Sequence, residues 1–441
     1  MPGRCSAVPS QQKEVTVSSP TDPFIPMTHA TVADMVDGPV TRRWTDQRWL
    51  VDNVIEANGI DWDQPRSLYL NAPCGPEANA DFAGVRNGVK MFADISPAFQ
   101  KVARHRQAKA ETAEADGNLV TARENYFIAA IGWGAAQWPL HNAGPTNQAL
   151  NQRKRDAYRK YARLADHRVE EVWIPFGDDK LPAWLHLPPG YTGGKLPVIM
   201  SFPGMDTFKE LFVAQYGDRW LSRGVAVLAL DGPGQAESRV LGLKVSMENW
   251  RKVGPAVLDW METREEFDLE RVGIFGNSFG SFFASIVVAT EPRLKAAAVS
   301  ATCLEPGFNT IFNEASPTYK RRFMYMSGYE DEAEFDDFIA KLTWEGHVGD
   351  IKIPYLVVAG DREELCQLKY VEQFLDALDT DKEYVLYEGS RHAVGFVPSA
   401  NLGPTPTIMI ADWMVKRLNG EPMESRRHFV RASGEVVTSG F

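Results

Sequence analysis

A serine hydroxyl is a poor nucleophile at neutral pH; it attacks a carbonyl only when a histidine accepts its proton and an acid orients that histidine. This sequence offers all three, in the order serine, acid, histidine. Ser278 stands in Gly276-Asn277-Ser278-Phe279-Gly280, a G-x-S-x-G stretch whose glycines leave room for a serine on a sharp strand-to-helix turn with strained dihedrals. At ordinary glycine and serine usage of roughly 7%, a chain this long carries such a pentapeptide by chance in about one case in seven. Its partners therefore decide its meaning. Asp361 follows the apolar run Tyr355-Leu356-Val357-Val358-Ala359-Gly360, where a side chain reaches a site beyond a strand's carboxyl end. His392 lies in the small-residue loop after Tyr384-Val385-Leu386-Tyr387. If Asp361 only solvates its turn, Glu363 and Glu364 are the fallback acids; His347 is the second choice of histidine.

The same chemistry needs two amides aimed at the oxyanion. Phe279, directly after the nucleophile, supplies one. Ser201-Phe202-Pro203-Gly204-Met205-Asp206 follows another apolar run, and its proline and glycine suit a tight turn that offers the Met205 amide. Asp206 has two readings. A carboxylate there repels the developing charge unless it is protonated, paired or facing a polar substrate group, and Thr207-Phe208-Lys209-Glu210 after it equally suits a helix N-cap.

These residues need a sheet to hold them. Val169 to Pro175 and Leu181 to Leu187 read as strands joined by a hairpin turn at Gly177-Asp178-Asp179. Strands then alternate with helical segments: Pro197 to Phe202, Val225 to Leu230, Val272 to Phe275, Ala296 to Ala301, Tyr355 to Ala359 and Glu383 to Tyr387. Such alternation predicts a mostly parallel sheet covered by helices, with ligands beyond the strands' carboxyl ends. Glu305 to Gly349 breaks the rhythm as a helical excursion near the mouth, and Thr405 to Leu418 supplies a last helix. Before the sheet, the pattern from Ala30 to Leu164 is helical, with Thr121 to Ala130 pairing a capping signal with an apolar stripe. The expected division is a flexible arm over 1–28, an α-helical cap over 29–165, the catalytic α/β domain over 166–420 and a polar tail over 421–441.

Composition narrows the partners. A net charge of −11 without a dense basic run argues against nucleic acid or an anionic membrane surface. Four cysteines without C-x-x-C spacing suit a reducing cytoplasm, and neither a leader nor a membrane span is expected. No metal or cofactor motif stands out, since Gly132-Trp133-Gly134 lies in a helical, Trp-rich context rather than after a strand. The cap aromatics are more often core than substrate contacts; Trp133, Trp138, Phe312 and Tyr325 are the candidates to line an apolar pocket.

Phe202 to Glu210, then Asp231-Gly232-Pro233-Gly234-Gln235, then the Ser278 pentapeptide together resemble the α/β hydrolases that include 2,6-dihydroxypseudooxynicotine hydrolase and the fungal heptaketide-shortening hydrolases. The resemblance runs from about Ala108 to Leu418, and the Asp-Gly-Pro-Gly-Gln turn is its most specific marker. It implies an α/β-hydrolase fold with a helical N-terminal cap and cleavage of a carbon–carbon bond next to a carbonyl. It also implies an acidic residue beside the oxyanion hole, matched here by Asp206. With the aromatic cap, it implies a homodimer. The expected activity is a serine hydrolase on a ketone or β-diketone, with Ser278, Asp361 and His392 as its triad and no cofactor. The alternatives are a carboxylesterase and a non-catalytic protein on a hydrolase fold.

Overall fold

In the computed structural model, residues 44–215 and 217–441 are described, and the arm expected over 1–28 lies outside them. Among the described residues the chain first builds helices α1 (Trp44–Asn58), α2 (Arg66–Asn71), α3 (Asn79–Gly88), α4 (Ile95–Ala115), α5 (Leu119–Gln137) and α6 (Pro145–Leu164). Asp116-Gly117-Asn118 reverses the chain between α4 and α5, and Gly117 takes the φ of +79° that the turn demands. Helix α5 is apolar on nearly every face, and Tyr126, Phe127, Ile128, Ile131 and Trp133 are all buried. Such a helix must lie inside its own layer. Its small residues set the spacing: a Cβ at Gly132 would stand 3.0 Å from the Ala103 Cβ on α4.

The second layer is a ten-stranded sheet of β1 (Val169–Phe176), β2 (Asp179–His186), β3 (Leu196–Phe202), β4 (Ala226–Leu230), β5 (Phe267–Asn277), β6 (Ala296–Ser300), β7 (Tyr355–Gly360), β8 (Lys382–Tyr387), β9 (Arg426–Val430) and β10 (Val436–Gly440). Its order is β1-β2-β4-β3-β5-β6-β7-β8-β9-β10, parallel from β4 through β9 and antiparallel at both ends. Strand β3 sends its connection one way to β4, and β5 sends its own the other way to β6. The crevice between the carboxyl ends of β3 and β5 is therefore the topological switch point, where such sheets bind ligands. Helices α7 (Ala236–Val240), α8 (Met247–Glu262), α9 (Phe279–Thr290), α10 (Pro317–Ser327), α11 (Glu332–Ile339), α12 (Leu368–Ala377), α13 (Pro398–Leu402) and α14 (Pro406–Leu418) complete the chain. Trp250 of α8 stacks flat on Phe283 of α9, with ring centroids 4.0 Å apart. Among the described residues no helix is long and apolar enough to cross a membrane.

The helical excursion expected between Glu305 and Gly349 is there, as α10, α11 and tight turns before and after them. The tail expected over 421–441 is not a tail. It folds as the β9–β10 hairpin, with β9 in register beside β8 from Glu383↔Arg426 to Tyr387↔Val430. Only Val430 of β9 is buried, so an edge pair with polar side chains left no apolar alternation to read. Ending the chain after Gly420 would turn β8 into a bare edge. The shortened protein is expected to melt at lower temperature and to aggregate as its concentration rises; an unchanged melting curve would mean the hairpin is ornamental.

Candidate active site

Strand β5 runs into Ser278, which turns sharply at φ 57° and ψ −127° before α9 starts at Phe279. A serine in that region is strained by about 1–3 kcal/mol, and the surrounding packing must hold it there. The flanking glycines show how. A Cβ at Gly276 would sit 2.0 Å from the Gly280 carbonyl oxygen, and one at Gly280 would sit 2.4 Å from that of Phe202. The elbow thus presses against the end of β3, and Gly204 of the next loop leaves room in turn for the Ser278 side chain, since its Cβ would lie 2.7 Å away.

Ser278 Oγ is 2.9 Å from His392 Nε2, and the other ring nitrogen, Nδ1, lies 2.8 and 3.0 Å from the two carboxylate oxygens of Glu363. This corrects the expected acid. Asp361 turns away and accepts the Gly389 amide at 2.7 Å, pinning the loop that carries the histidine. The Gly360 backbone runs so close to this loop that a Cβ there would lie 2.2 Å from the Ser390 carbonyl oxygen. An aspartate at the strand end therefore meets backbone, and the longer side chain two residues on spans the gap to the ring. Glu364 ties the loop to the cap, accepting the His392 amide at 2.8 Å and the Gln64 side-chain amide at 3.0 Å. His347, the second-choice histidine, caps a short turn and does not line the cavity.

Burial pushes the His392 pKa down, but the charge and hydrogen bond of Glu363 more than offset this, and the net shift is upward. The imidazole must be neutral to take the serine proton, so activity rises as pH passes up through that raised value.

The Met205 loop is braced from behind by the Asp-Gly-Pro-Gly-Gln turn. Gln235 donates to the Pro203 carbonyl and accepts the Gly232 amide at 2.8 Å. Asp231 accepts the Lys209 amide at 2.9 Å, and Lys209 also contacts Glu210 at 3.0 Å and Glu237. From the cap, Lys154 of α6 reaches Glu210 at 3.2 Å, with both side chains fully buried. Burial works against the Lys209 charge, yet the carboxylates around it leave its pKa raised. Asp231 is thus more than a turn residue. Arg322 adds a donor to the Met205 carbonyl at 3.3 Å.

Asp206 is no N-cap; the short helical turn that follows is entered from Phe208. Its carboxylate is paired, accepting from Arg66 Nη2 at 2.9 Å and from the Trp138 indole at 2.8 Å. Arg66 holds Asp63 as well, at 2.7 Å, and its guanidinium lies over the Trp138 ring. Nothing local in the sequence announces Arg66, which is 140 positions from Asp206.

A cavity of about 420 Å³ opens over Ser278 and His392, walled by Met205, Asp206, Leu211, Phe212, Ile311, Val394 and other mostly apolar residues. Of the aromatic candidates, none lines it. Trp133 is cap core, bonded to Gln107 at 3.1 Å. Phe312 packs on Phe279 at 5.6 Å within a phenylalanine cluster. Trp138 and Tyr325 line only a small gap behind Asp206. The cap contributes Gln64, Tyr69, Ala72 and Pro73 to the cavity, from short segments whose polar texture masks their position.

A family model described as esterase FrsA-like matches residues 82–330. The 20-hydroxy-prefusarin hydrolase FUS2 of Gibberella moniliformis is 34% identical over 208 residues, covering 45% of this chain and 49% of that one. The chain thus spans about half the length of that fungal relative. The 2,6-dihydropseudooxynicotine hydrolase of Paenarthrobacter nicotinovorans is 25% identical over 339 residues, 76% of this chain and 87% of the other. A crystal structure of the 2,6-dihydroxy-pseudo-oxynicotine hydrolase superposes with a TM-score of 0.70 at 23% identity, over 81% of this chain and 98% of that one. The shared architecture is that of the α/β hydrolases, with a helical region at the N-terminus.

The acid assignment is testable directly. Replacing Glu363 with glutamine should lower kcat by about 10³–10⁴-fold, because an amide no longer fixes the ring tautomer. It should also shift the acid limb of kcat/KM to lower pH, since the charge that raises the His392 pKa is gone. Asp361→Asn should cost far less, and the reverse ranking would restore Asp361 as the acid.

Proposed function

The chain belongs to the FrsA-like esterase family, and we propose that it is a serine hydrolase in which Ser278, His392 and Glu363 act as the catalytic triad. The observation that carries this reading is the continuous line from Ser278 Oγ through both nitrogens of His392 to Glu363, each link within 3.0 Å. Ser278 attacks a substrate carbonyl while His392 takes its proton, and the amides of Met205 and Phe279 receive the oxyanion. Glu363 keeps Nδ1–H as a donor and steadies the imidazolium. The leaving group departs with the proton from His392; water, activated by the same ring, then frees the acid from Ser278.

We further propose that the bond broken joins two carbons next to a carbonyl, so that a β-diketone and water give a carboxylic acid and a shorter ketone, and a ketone with an electron-rich aromatic leaving group gives a carboxylic acid and the free arene. The substrate class is an aromatic or polyketide-like small molecule. Support comes from the mostly apolar cavity, of a size suited to such a ligand, and from the motif resemblance to carbon–carbon hydrolases. Pairing with Arg66 also relieves the repulsion that a free Asp206 would exert on the oxyanion. Carboxylester hydrolysis is the second reading, favoured by the family description.

A fluorophosphonate probe should label the folded protein on Ser278 and fail on Ser278→Ala. Folded protein that takes no label would instead be a scaffold. Assays of 1-phenyl-1,3-butanedione beside 4-nitrophenyl acetate should find release of benzoate or acetate from the diketone. Turnover of the ester alone would assign the esterase reading.

A further inference from the structure

Two phenols share the cavity with Ser278 and His392. Tyr69 comes from α2 in the cap and Tyr319 from α10 in the excursion after β6. Each hydroxyl is buried and, among the described residues, finds no acceptor for its proton. The polar groups around them are already committed. Arg66 donates to Asp63 at 2.7 Å and to Asp206 at 2.9 Å, Trp138 donates to Asp206 at 2.8 Å, and Thr318 donates to Asp63 at 3.3 Å. The guanidinium, which interacts electrostatically with both phenols, can only donate and accepts a proton from neither. A buried hydroxyl without an acceptor is costly and is kept for a reason. Both side chains wall the cavity, so a ligand seated there is the acceptor at hand.

We propose that the hydroxyls of Tyr69 and Tyr319 form a subsite that holds a second, uncharged oxygen of the substrate, a carbonyl or enol oxygen. Two neutral O–H donors call for an acceptor, and they serve a carbonyl oxygen and the enolate oxygen it becomes alike. Burial pushes both phenols well above the ordinary tyrosine range, so they remain neutral donors wherever His392 is active.

The assignment deepens the carbon–carbon reading and rests on it for its role in turnover. When the tetrahedral adduct on Ser278 collapses, the electron pair of the breaking bond moves onto the adjacent carbonyl, making an enolate oxygen. The tyrosines donate to that oxygen, and His392 returns the serine proton to the enolate carbon. An ester leaving group carries its charge on the departing oxygen and makes no such demand.

Single Tyr69→Phe and Tyr319→Phe variants test this in two ways. In active protein, the ratio of 1-phenyl-1,3-butanedione turnover to 4-nitrophenyl acetate turnover should fall about tenfold per hydroxyl. In a Ser278→Ala background, calorimetric titration with the same diketone should show affinity about tenfold weaker per phenylalanine. The melting temperature of Tyr319→Phe should not fall, because that variant removes a donor that has no acceptor in the free protein, whereas Tyr69→Phe also removes an oxygen that faces the Arg66 guanidinium. Equal losses on both substrates, an unchanged affinity or a lowered melting temperature of Tyr319→Phe would overturn the subsite. If active protein spares the diketone while the Ser278→Ala titration still depends on the tyrosines, the carbon–carbon reading fails and the subsite stands.

Discussion

A 2.9 Å contact between Ser278 Oγ and His392 Nε2 sets the terms for everything around it. Its two residues follow β5 and β8, three places apart in the sheet, or about 14 Å at the usual strand spacing. The imidazole can cross that distance only if the loop after β8 folds back over β7 and β6. Asp361 holds that loop through the Gly389 amide, Glu364 holds it through the His392 amide, and Gly360 lets it pass without a side chain in the way. Three acidic residues within four positions thus serve one histidine, one through the Gly389 amide of its loop, one through its own amide and one through its ring. The serine side is equally constrained, because the elbow's strained dihedrals survive only while β3 presses on it from Phe202 and Pro203.

The opposite wall depends on buried charge. Lys209 and Lys154 sit among Glu210, Asp231 and Glu237 with almost no exposure, where an isolated ion would not be tolerated. With Arg155, which reaches Glu237 at 3.2 Å, three cations face the three carboxylates, and the cluster's geometry ties the loop after β3 to the Asp-Gly-Pro-Gly-Gln turn and to helix α6 of the cap. Burial favours the neutral form of Glu210, and the two lysines reverse that and hold its pKa below the ordinary value. Such a cluster supplies position more than stability, since apolar replacements of similar volume often fold as well. Position is what the oxyanion role proposed for the Met205 amide requires. A second ionic group, Asp63, Arg66 and Asp206, does the same where cap and cavity meet.

Much of this is legible in the sequence because it is local. Strand, glycine-flanked serine, helix and the loop after β8 each announce themselves within ten residues, and the fold follows from strands alternating with helices. What escapes depends on distance. Asp361 sits nearer its strand end than Glu363, and only the path of the His392 loop shows that the longer side chain is the one that reaches. Arg66 and Tyr69 belong to short cap segments with no periodic signal, yet the tertiary fold sets them against Asp206 and the cavity. Size alone marks Trp133 and Phe312 as pocket candidates, and both pack the interior instead. The β9–β10 hairpin escapes because an exposed edge tolerates polar side chains, which removes the pattern that betrays a strand.

The line from Glu363 through His392 to Ser278 is best probed where its proton resides. Proton NMR of the protein with ¹⁵N-labelled histidine should show a strongly downfield Nδ1 proton on His392, slow to exchange because it is held by a buried carboxylate. This resonance should persist in Asp361→Asn and disappear or move sharply upfield in Glu363→Gln. A resonance lost in Asp361→Asn and retained in Glu363→Gln would contradict it.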